Sequence, residues 1–328
     1  MRHGVVILPE QRWSQARDRW VLAERLGFDH AWTYDQLMWR WLRDEPWFAC
    51  VPTLAAAAAV TSRITLGTMV ATPTYRHPVT LAKELMSLED IAGGRFVCGL
   101  GAGAGGLDDR VVDPAERTPR QRADRFAEFV EALDLLLTDR VSSYTGTHYD
   151  FRDVPVNPGC LTRPRVPFAV AATGPRGMRL AALQAETWVT AGPPGRFDAL
   201  PYEKALPDIA RQLEGLDAAC AATGRDPATL NRLLLTGALV GGVLDSVESY
   251  WDAVGRFGEL GITDLVVHWP RPSFPYAGDP RVLEAVAEEV LLPRPRTTGA
   301  VAGQDTPGRN AGSQDTTGHG LDEAGGGR

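Results

Sequence analysis

Four groups of residues in this 328-residue chain are of types able to do chemistry. Gly99-Leu-Gly-Ala-Gly-Ala-Gly-Gly106 closes an apolar run, and Gly101, Gly103 and Gly106 fit the pattern G-x-G-x-x-G. Glycines at the end of a strand let backbone approach a pyrophosphate or a flat ring such as a cofactor's, with Gly101, Ala102 and Gly103 nearest. Thr173-Gly-Pro-Arg-Gly177 has the form of a strand-to-helix turn. Its free backbone N–H groups, at Thr173 and Gly174, suit a phosphate; Pro175 suits the first helical turn, and Arg176 adds a cation. A plain βα turn would read the same way. Trp39, Trp41 and Trp47 can wall a substrate pocket, or simply pack a long loop, with Tyr75 at the pocket rim and Thr72 placed there to reach a cofactor ring. His268 ends the apolar run Ile262–His268 and can exchange a proton near neutral pH, or be a packed core histidine.

The glycine pattern alone does not make a dinucleotide-binding turn. Such a turn needs a helix starting inside the motif and an acidic residue about 20 positions on, after the next strand. Here Leu107-Asp-Asp-Arg-Val-Val-Asp-Pro114 follows, then Pro119, and the next periodic helix is expected only near Pro119. Three earlier strands also precede the motif. A glycine-lined mouth of another fold is the better reading.

The elements that must position these residues repeat one unit. Trp13, Ala16, Trp20, Ala23 and Leu26 share a helical face, Gly27 stops the helix, and Phe28–Tyr34 reads as a strand. Val247, Tyr250, Trp251, Val254 and Phe257, then Gly261, then Ile262–His268 repeat the arrangement. A third copy runs from a helix over 80–90 through Gly93-Gly94 into Phe96–Cys98. Strands are expected near 4–8, 28–34, 64–70, 95–100, 167–171, 186–190, 231–237 and 262–268, with helices between most of them. The stripe Phe126, Phe129, Val130, Leu133, Leu136, Leu137 marks a helix over 122–137. This alternation predicts a (β/α)8 TIM barrel over residues 1–293, with a doubly wound sheet as the competitor. The longer segments 35–46, 101–117 and 191–200 follow strands, so a barrel would gather them at its C-terminal mouth. Ser142–Phe151 reads as a β-hairpin turning at Gly146. Residues 294–328 have no aromatic residue and few large aliphatics, and are expected to form a disordered tail.

Composition narrows the function. The chain is 44% hydrophobic and 23% charged with a net charge of −7, which argues for a globular protein and against a nucleic-acid surface. Lys83 and Lys204 are the only lysines, a poor basis for Schiff-base chemistry. The four cysteines form no C-x-x-C and the six histidines no ligand spacing, so no metal is expected. No apolar run is long enough to span a bilayer, and a cytoplasmic enzyme with a small-molecule substrate is the expectation, with homodimerisation left open.

A broader stretch carries a resemblance. Ser62-Arg-Ile-Thr-Leu-Gly-Thr-Met-Val-Ala-Thr-Pro-Thr-Tyr-Arg-His-Pro78, then Leu81-Ala82, then Gly93-Gly-Arg-Phe-Val-Cys-Gly-Leu-Gly-Ala-Gly103 resembles the bacterial luciferase-like oxidoreductases. Gly27-Phe-Asp29 with Trp32 and Asp35, Arg163–Pro167 and Ala172–Pro175 extend it in order over about residues 4–290. The resemblance implies a TIM barrel and a cofactor that is FMN or the deazaflavin F420. LGTMVATPTYR is most similar to F420-dependent members, so hydride transfer between F420 and a small organic substrate is expected. An FMN-dependent monooxygenase using O2 is the alternative, and a ligand-binding protein without turnover is a third.

The resemblance also implies roles for particular residues. It places a non-proline cis peptide at Met69–Val70, a bulge supporting the ring. Asp35 and Gln36 stand where relatives have Asp-His at the end of strand two. Asp35 would then hydrogen-bond the cofactor, although a capping role fits it too. Gln36 departs from the pattern, because an amide hydrogen-bonds but does not exchange a proton in the neutral range. The proton would then come from elsewhere, with His268 the candidate donor. Sugar-phosphate dehydrogenases of this kind carry a glutamate where Ala104 stands, a second departure that argues against a sugar phosphate. His77 reads as structural.

Overall fold

The computed structural model describes residues 1–103, 107–112, 116–193 and 198–292. The expected tail and Ala104 lie outside them. In chain order the elements are β1 (Arg2–Val6), α1 (Trp13–Arg25), β2 (His30–Thr33), α2 (Cys50–Val60), β3 (Thr65–Thr68), α3 (Pro78–Ile91), β4 (Phe96–Gly101), α4 (Leu107–Val112), α5 (Pro119–Thr138), β5 (Val141–Thr145), β6 (Asp150–Pro155), β7 (Phe168–Ala171), α6 (Pro175–Gln184), β8 (Thr187–Thr190), β9 (Leu200–Pro201), α7 (Tyr202–Thr223), β10 (Asn231–Leu235), β11 (Val240–Gly241), α8 (Val247–Glu259), β12 (Asp264–His268) and α9 (Pro280–Val286).

Eight of these strands are parallel and close on themselves in the order β1-β12-β10-β8-β7-β4-β3-β2, with β2 pairing back to β1. The barrel expectation holds strand for strand. β5 and β6 form the antiparallel hairpin, a few residues longer than the sequence marks, and β9 and β11 make a small parallel pair the sequence does not signal. One helix differs from expectation. The six-residue α4 begins soon after the glycine run, where sequence reading places no helix before Pro119.

The helix stops work as their composition dictates. Gly27 and Gly261 take φ of +87° and +95°, a region that costs side-chain-bearing residues, and the chain turns there into β2 and β12. α5 starts with a capping box in which Thr118 and Gln121 bond each other's backbone. Inside the barrel, Val6, Leu8, Trp32, Met69, Ala169, Val189, Leu233 and Val266 form one apolar cluster. A second, larger cluster lies between the strands and the helices. All four cysteines are buried and unpaired, consistent with core roles. Among the described residues, no helix is long and apolar enough to cross a membrane.

The N-terminal end of the barrel is closed by charge. Asp264 is 1% exposed. It accepts from Arg2 at 2.8 Å, His30 Nε2 at 3.0 Å and Thr263 Oγ1 at 2.6 Å. The Trp32 indole donates to His30 Nδ1 at 2.7 Å, so the ring proton sits on Nε2 and faces Asp264. Burial alone would raise the Asp264 pKa, but His30 and Arg2 outweigh it and bring it from 3.8 to about 2. Because the folded value is the lower one, the stabilisation is complete above the ordinary value and is lost as pH falls toward 2. The shift corresponds to about 2 kcal/mol. Urea unfolding of wild type and Asp264→Asn at pH 7 and pH 3 should therefore show the gap between the two proteins narrowing at the lower pH. An unchanged gap would remove the ionic account of this network.

Candidate active site

At the C-terminal mouth the strand order sorts the side chains into two arcs. Neighbouring β3, β4, β7 and β8 run out into Val70, Ala102, Gly103, Ala171, Ala172 and Ala191, all half-buried and all small. The opposite arc, after β2 and β12, is aromatic. Tyr34 packs edge-on against Trp39, with ring centroids 5.3 Å apart, and lies 6.3 Å from Trp47. Trp39 meets Trp41 at 5.2 Å, and Trp41 meets Phe274 at the same separation. Arg40 lies over Trp41, 4.3 Å from its centroid. The mouth is therefore smooth on one side and bulky on the other.

The smooth side is built around a bulge. β3 and β4 pair as Gly67 with Val97, yet beyond the break Ala71 pairs with Leu100, so β3 carries one extra residue. The Met69–Val70 peptide within this stretch is cis, as the resemblance implies. β4 pins the bulge: the Gly99 carbonyl accepts from the Ala71 N–H at 2.7 Å and from Thr68 Oγ1 at 2.9 Å, and the Gly101 N–H donates to Ala71 at 2.9 Å. The glycines are there to admit it. A Cβ on Gly99 would lie 1.9 Å from the Thr68 carbonyl oxygen, and one on Gly101 would lie 2.5 Å from Val70 Cγ2. Gly103 takes φ +76° beside Thr74. Gly99 and Gly101 thus make room first for the neighbouring strand. Only through it do they shape the mouth.

Asp35, 1% exposed at the end of β2, is held by its own chain. Oδ1 accepts from Tyr75 Oη at 2.8 Å and Arg76 Nη2 at 2.7 Å, and Oδ2 accepts from Arg76 Nε at 3.1 Å. Arg76 also reaches Glu84 at 2.8 Å. Burial, then the charge of Asp35, push the Tyr75 hydroxyl well above its ordinary pKa. Burial opposes the charge on Arg76, but Asp35 more than restores it. The structure thus places Asp35 and Tyr75 in a bonded unit at the rim, and Tyr75 spends its proton on Asp35 rather than on the pocket. Thr72 is half-buried beside this unit. His77, exposed, accepts from the Val79 N–H and packs on Tyr149, a structural role as expected.

The side-chain oxygen of Gln36 is buried without a hydrogen-bond partner, and the buried Trp39 indole lies against the Tyr276 hydroxyl. The backbone around them is fixed, since the Trp47 indole donates to the Gln36 carbonyl at 2.9 Å. Unsatisfied buried groups cost stability unless a ligand meets them.

His268 reaches the mouth only through other residues. It is 4% exposed, stacked on Tyr276 at 3.7 Å, and bonded to Tyr34 Oη and the Thr236 carbonyl, each at 2.7 Å. Burial pushes its pKa down to about 3, so the ring is neutral. Tyr276, held at φ +63°, also bonds Tyr34, at 2.9 Å. Sequence reading does not single out Tyr34 or Tyr276. Tyr34 reads as a strand residue, and Tyr276 lies in an aperiodic loop whose one signal is that it follows the last strand.

At the β7–α6 turn, Thr173, Gly174, Pro175 and Arg176 are exposed. Gly174 is the N-cap and no side chain caps the helix, so its N–H groups remain available to an anion. Arg176 is bonded to Asp124 of α5 at 2.6 Å.

Comparison with known proteins agrees with this geometry. The model of the luciferase-like monooxygenase family matches residues 1–261. The chain is 32% identical over 322 residues to an F420-dependent glucose-6-phosphate dehydrogenase of Beutenbergia cavernae, covering 83% of this chain and 90% of that protein. It is 31% identical over 245 residues to the F420-dependent hydroxymycolic acid dehydrogenase of Mycobacterium tuberculosis, covering 73% and 62%. Among solved structures, the coenzyme F420-dependent tetrahydromethanopterin reductase of Methanopyrus kandleri superposes with a TM-score of 0.71 at 17% identity, over 89% of this chain and 98% of that one. The monooxygenase RslO1 of Streptomyces bottropensis gives 0.70 at 22% identity, over 89% and 99%. At these identities the structures speak to the fold.

Proposed function

Because the chain belongs to the luciferase-like monooxygenase family, we propose that it is an oxidoreductase transferring hydride between coenzyme F420 and a small organic substrate at the barrel mouth. The observation that carries this reading is the division of the mouth into a smooth arc and an aromatic arc. A flat ring fits against Met69–Val70, Ala102, Gly103, Ala171 and Ala172, leaving a substrate between it and Trp39, Trp41 and Tyr276. The uncapped start of α6 at Thr173–Gly174 suits the cofactor's phosphate. F420, rather than FMN, is supported by the F420-dependent relatives and by the LGTMVATPTYR segment. When bound, the deazaflavin supplies the carbon that takes or gives the hydride.

The chain's own residues orient and exclude water. The Asp35–Arg76–Tyr75 unit fixes the rim after β2 and β3, so Asp35 acts by positioning. Trp39, Trp41 and Trp47 wall the substrate side and keep it dry, which strengthens every polar contact made there. Gln36 offers an amide where a titrating histidine would serve acid–base chemistry, and Ala104 offers no carboxylate. A sugar phosphate is therefore not the proposed substrate. On this reading the enzyme works in the cytoplasm on a small molecule.

The test is anaerobic turnover. Oxidised F420 should lose its visible absorbance with members of a panel of alcohols, or reduced F420 should regain it with ketones, while glucose 6-phosphate gives no change. Turnover that instead needs reduced FMN and O2 would replace the reading with a monooxygenase.

A further inference from the structure

The hydrogen bonds behind the aromatic arc can run in one direction only. The inner end is the Thr236 carbonyl, which can only accept, so Nδ1 of the neutral His268 ring carries the proton. Nε2 is then bare and accepts from Tyr34, whose single proton is spent there. The Tyr34 oxygen can only accept from its other neighbour, so Tyr276 donates to it. The Tyr276 oxygen keeps its lone pairs, and the buried Trp39 indole, a donor only, lies against it. Every proton from Trp39 to Thr236 therefore points inward. Reversal would need a carbonyl that donates.

Tyr276 is held where it stands by more than this chain. It takes φ +63°, a region unfavourable for a residue with a side chain. Its ring stacks on His268, with 3.7 Å between centroids and 4° between planes. Its carbonyl accepts from the Arg271 N–H at 2.9 Å. The buried Arg271 side chain bonds Glu10 at 2.7 Å and the carbonyls of Ser273, Phe274 and Pro275, so a buried cation fixes the loop that carries Tyr276. Gly237 leaves room for the stack, because a Cβ there would lie 2.6 Å from His268 Nδ1 and 3.2 Å from Tyr276 Cδ1. A strained residue persists only where its surroundings over-determine it, and such residues cluster at functional sites. What this assembly holds is Trp39, whose ring Tyr34 also meets edge-on at 5.3 Å.

We infer that His268, Tyr34 and Tyr276 are positioning residues, a one-way chain that locks Trp39 into the substrate wall and has no proton to exchange with the mouth. The direction of the chain stands on hydrogen-bond chemistry alone. Its place in catalysis rests on the oxidoreductase reading above: the proton that accompanies the hydride does not pass through this arc, and His268 is not its donor.

Two measurements on the full chain test this. In protein labelled with 15N-histidine, with His268→Gln identifying the resonance, His268 should show a protonated Nδ1 and a bare Nε2 at neutral pH. The opposite tautomer, or a cationic ring, overturns the inference. The second measurement follows the Trp39 indole N–H by 15N NMR, with Trp39→Phe identifying its signal among the nine tryptophans. Tyr276→Phe keeps the ring that stacks on His268 and removes only the hydroxyl. It should shift the Trp39 signal and speed its hydrogen exchange about tenfold, the order expected for one lost hydrogen bond. Tyr34→Phe, one link further in, keeps the ring packed on Trp39 and should shift the same signal. Rings that serve only as packing would leave it in place in both variants. Tyr202→Phe loses a hydroxyl bonded to Asp252 of α8 and should leave Trp39 unchanged. An unmoved Trp39 signal in either of the first two variants, or an equal shift in Tyr202→Phe, overturns the inference. F420 titration scores the oxidoreductase reading separately: absent F420 binding, with the tautomer and the Trp39 shifts as expected, sinks that reading and leaves the chain and its hold on Trp39 standing.

Discussion

Gly99→Ala is expected to lower stability by about 3 kcal/mol and to deform the mouth between β3 and β4. The new Cβ would stand 1.9 Å from a backbone oxygen, Thr68 O, which has no rotamer by which to yield. Relief requires the strands to part, and parting them breaks the bonds from Ala71 and Thr68 to the Gly99 carbonyl. The Met69–Val70 bulge would go with them. Gly255→Ala is the matched control. It lies in α8 with nothing within 4 Å of the added Cβ, so it should gain up to about 1 kcal/mol from helix propensity. Urea unfolding measures both. A Gly99→Ala protein within 1 kcal/mol of wild type would mean that the glycine does not serve the bulge.

Arg76→Ala should cost a comparable amount, about 3 kcal/mol, because it strands a buried carboxylate. Asp35 would keep only the Tyr75 hydroxyl, having lost both arms of a bidentate pair. Arg76→Lys should recover part of the loss at most, since an ammonium cannot span Nε and Nη2. Removing both charges, as Arg76→Ala with Asp35→Asn, should cost less than the sum of the two single changes. Additive costs in that cycle would show that the two groups do not act as a pair, and would reopen a direct ligand role for Asp35.

Much of the fold is legible in the sequence because helix-Gly-strand is a local signal. Trp20 and Phe257 fall on their helical faces, and Gly27 and Gly261 stop their helices at positive φ, without any help from distant residues. α4 escapes for the same reason: six residues hold less than two turns of periodicity. The site is less legible. The glycines of β4 are visible as glycines, but that they receive Thr68 and Val70 depends on which strand lies beside β4. Asp35, Tyr75 and Arg76 are each noticeable in sequence, while their union needs β2 and the segment after β3 to meet at the rim. Tyr276 has no local signal at all. Its importance comes from His268 and Tyr34, which reach it only when β2 and β12 flank β1 in the closed barrel.

The claim that the smooth arc receives a deazaflavin is tested most directly by equilibrium titration of the protein with oxidised F420 and, separately, with FMN. The account predicts saturable binding of F420, tighter than FMN by about a hundredfold, or two tenfold steps of about 1.4 kcal/mol each. Saturable FMN binding with none detectable for F420 would contradict it.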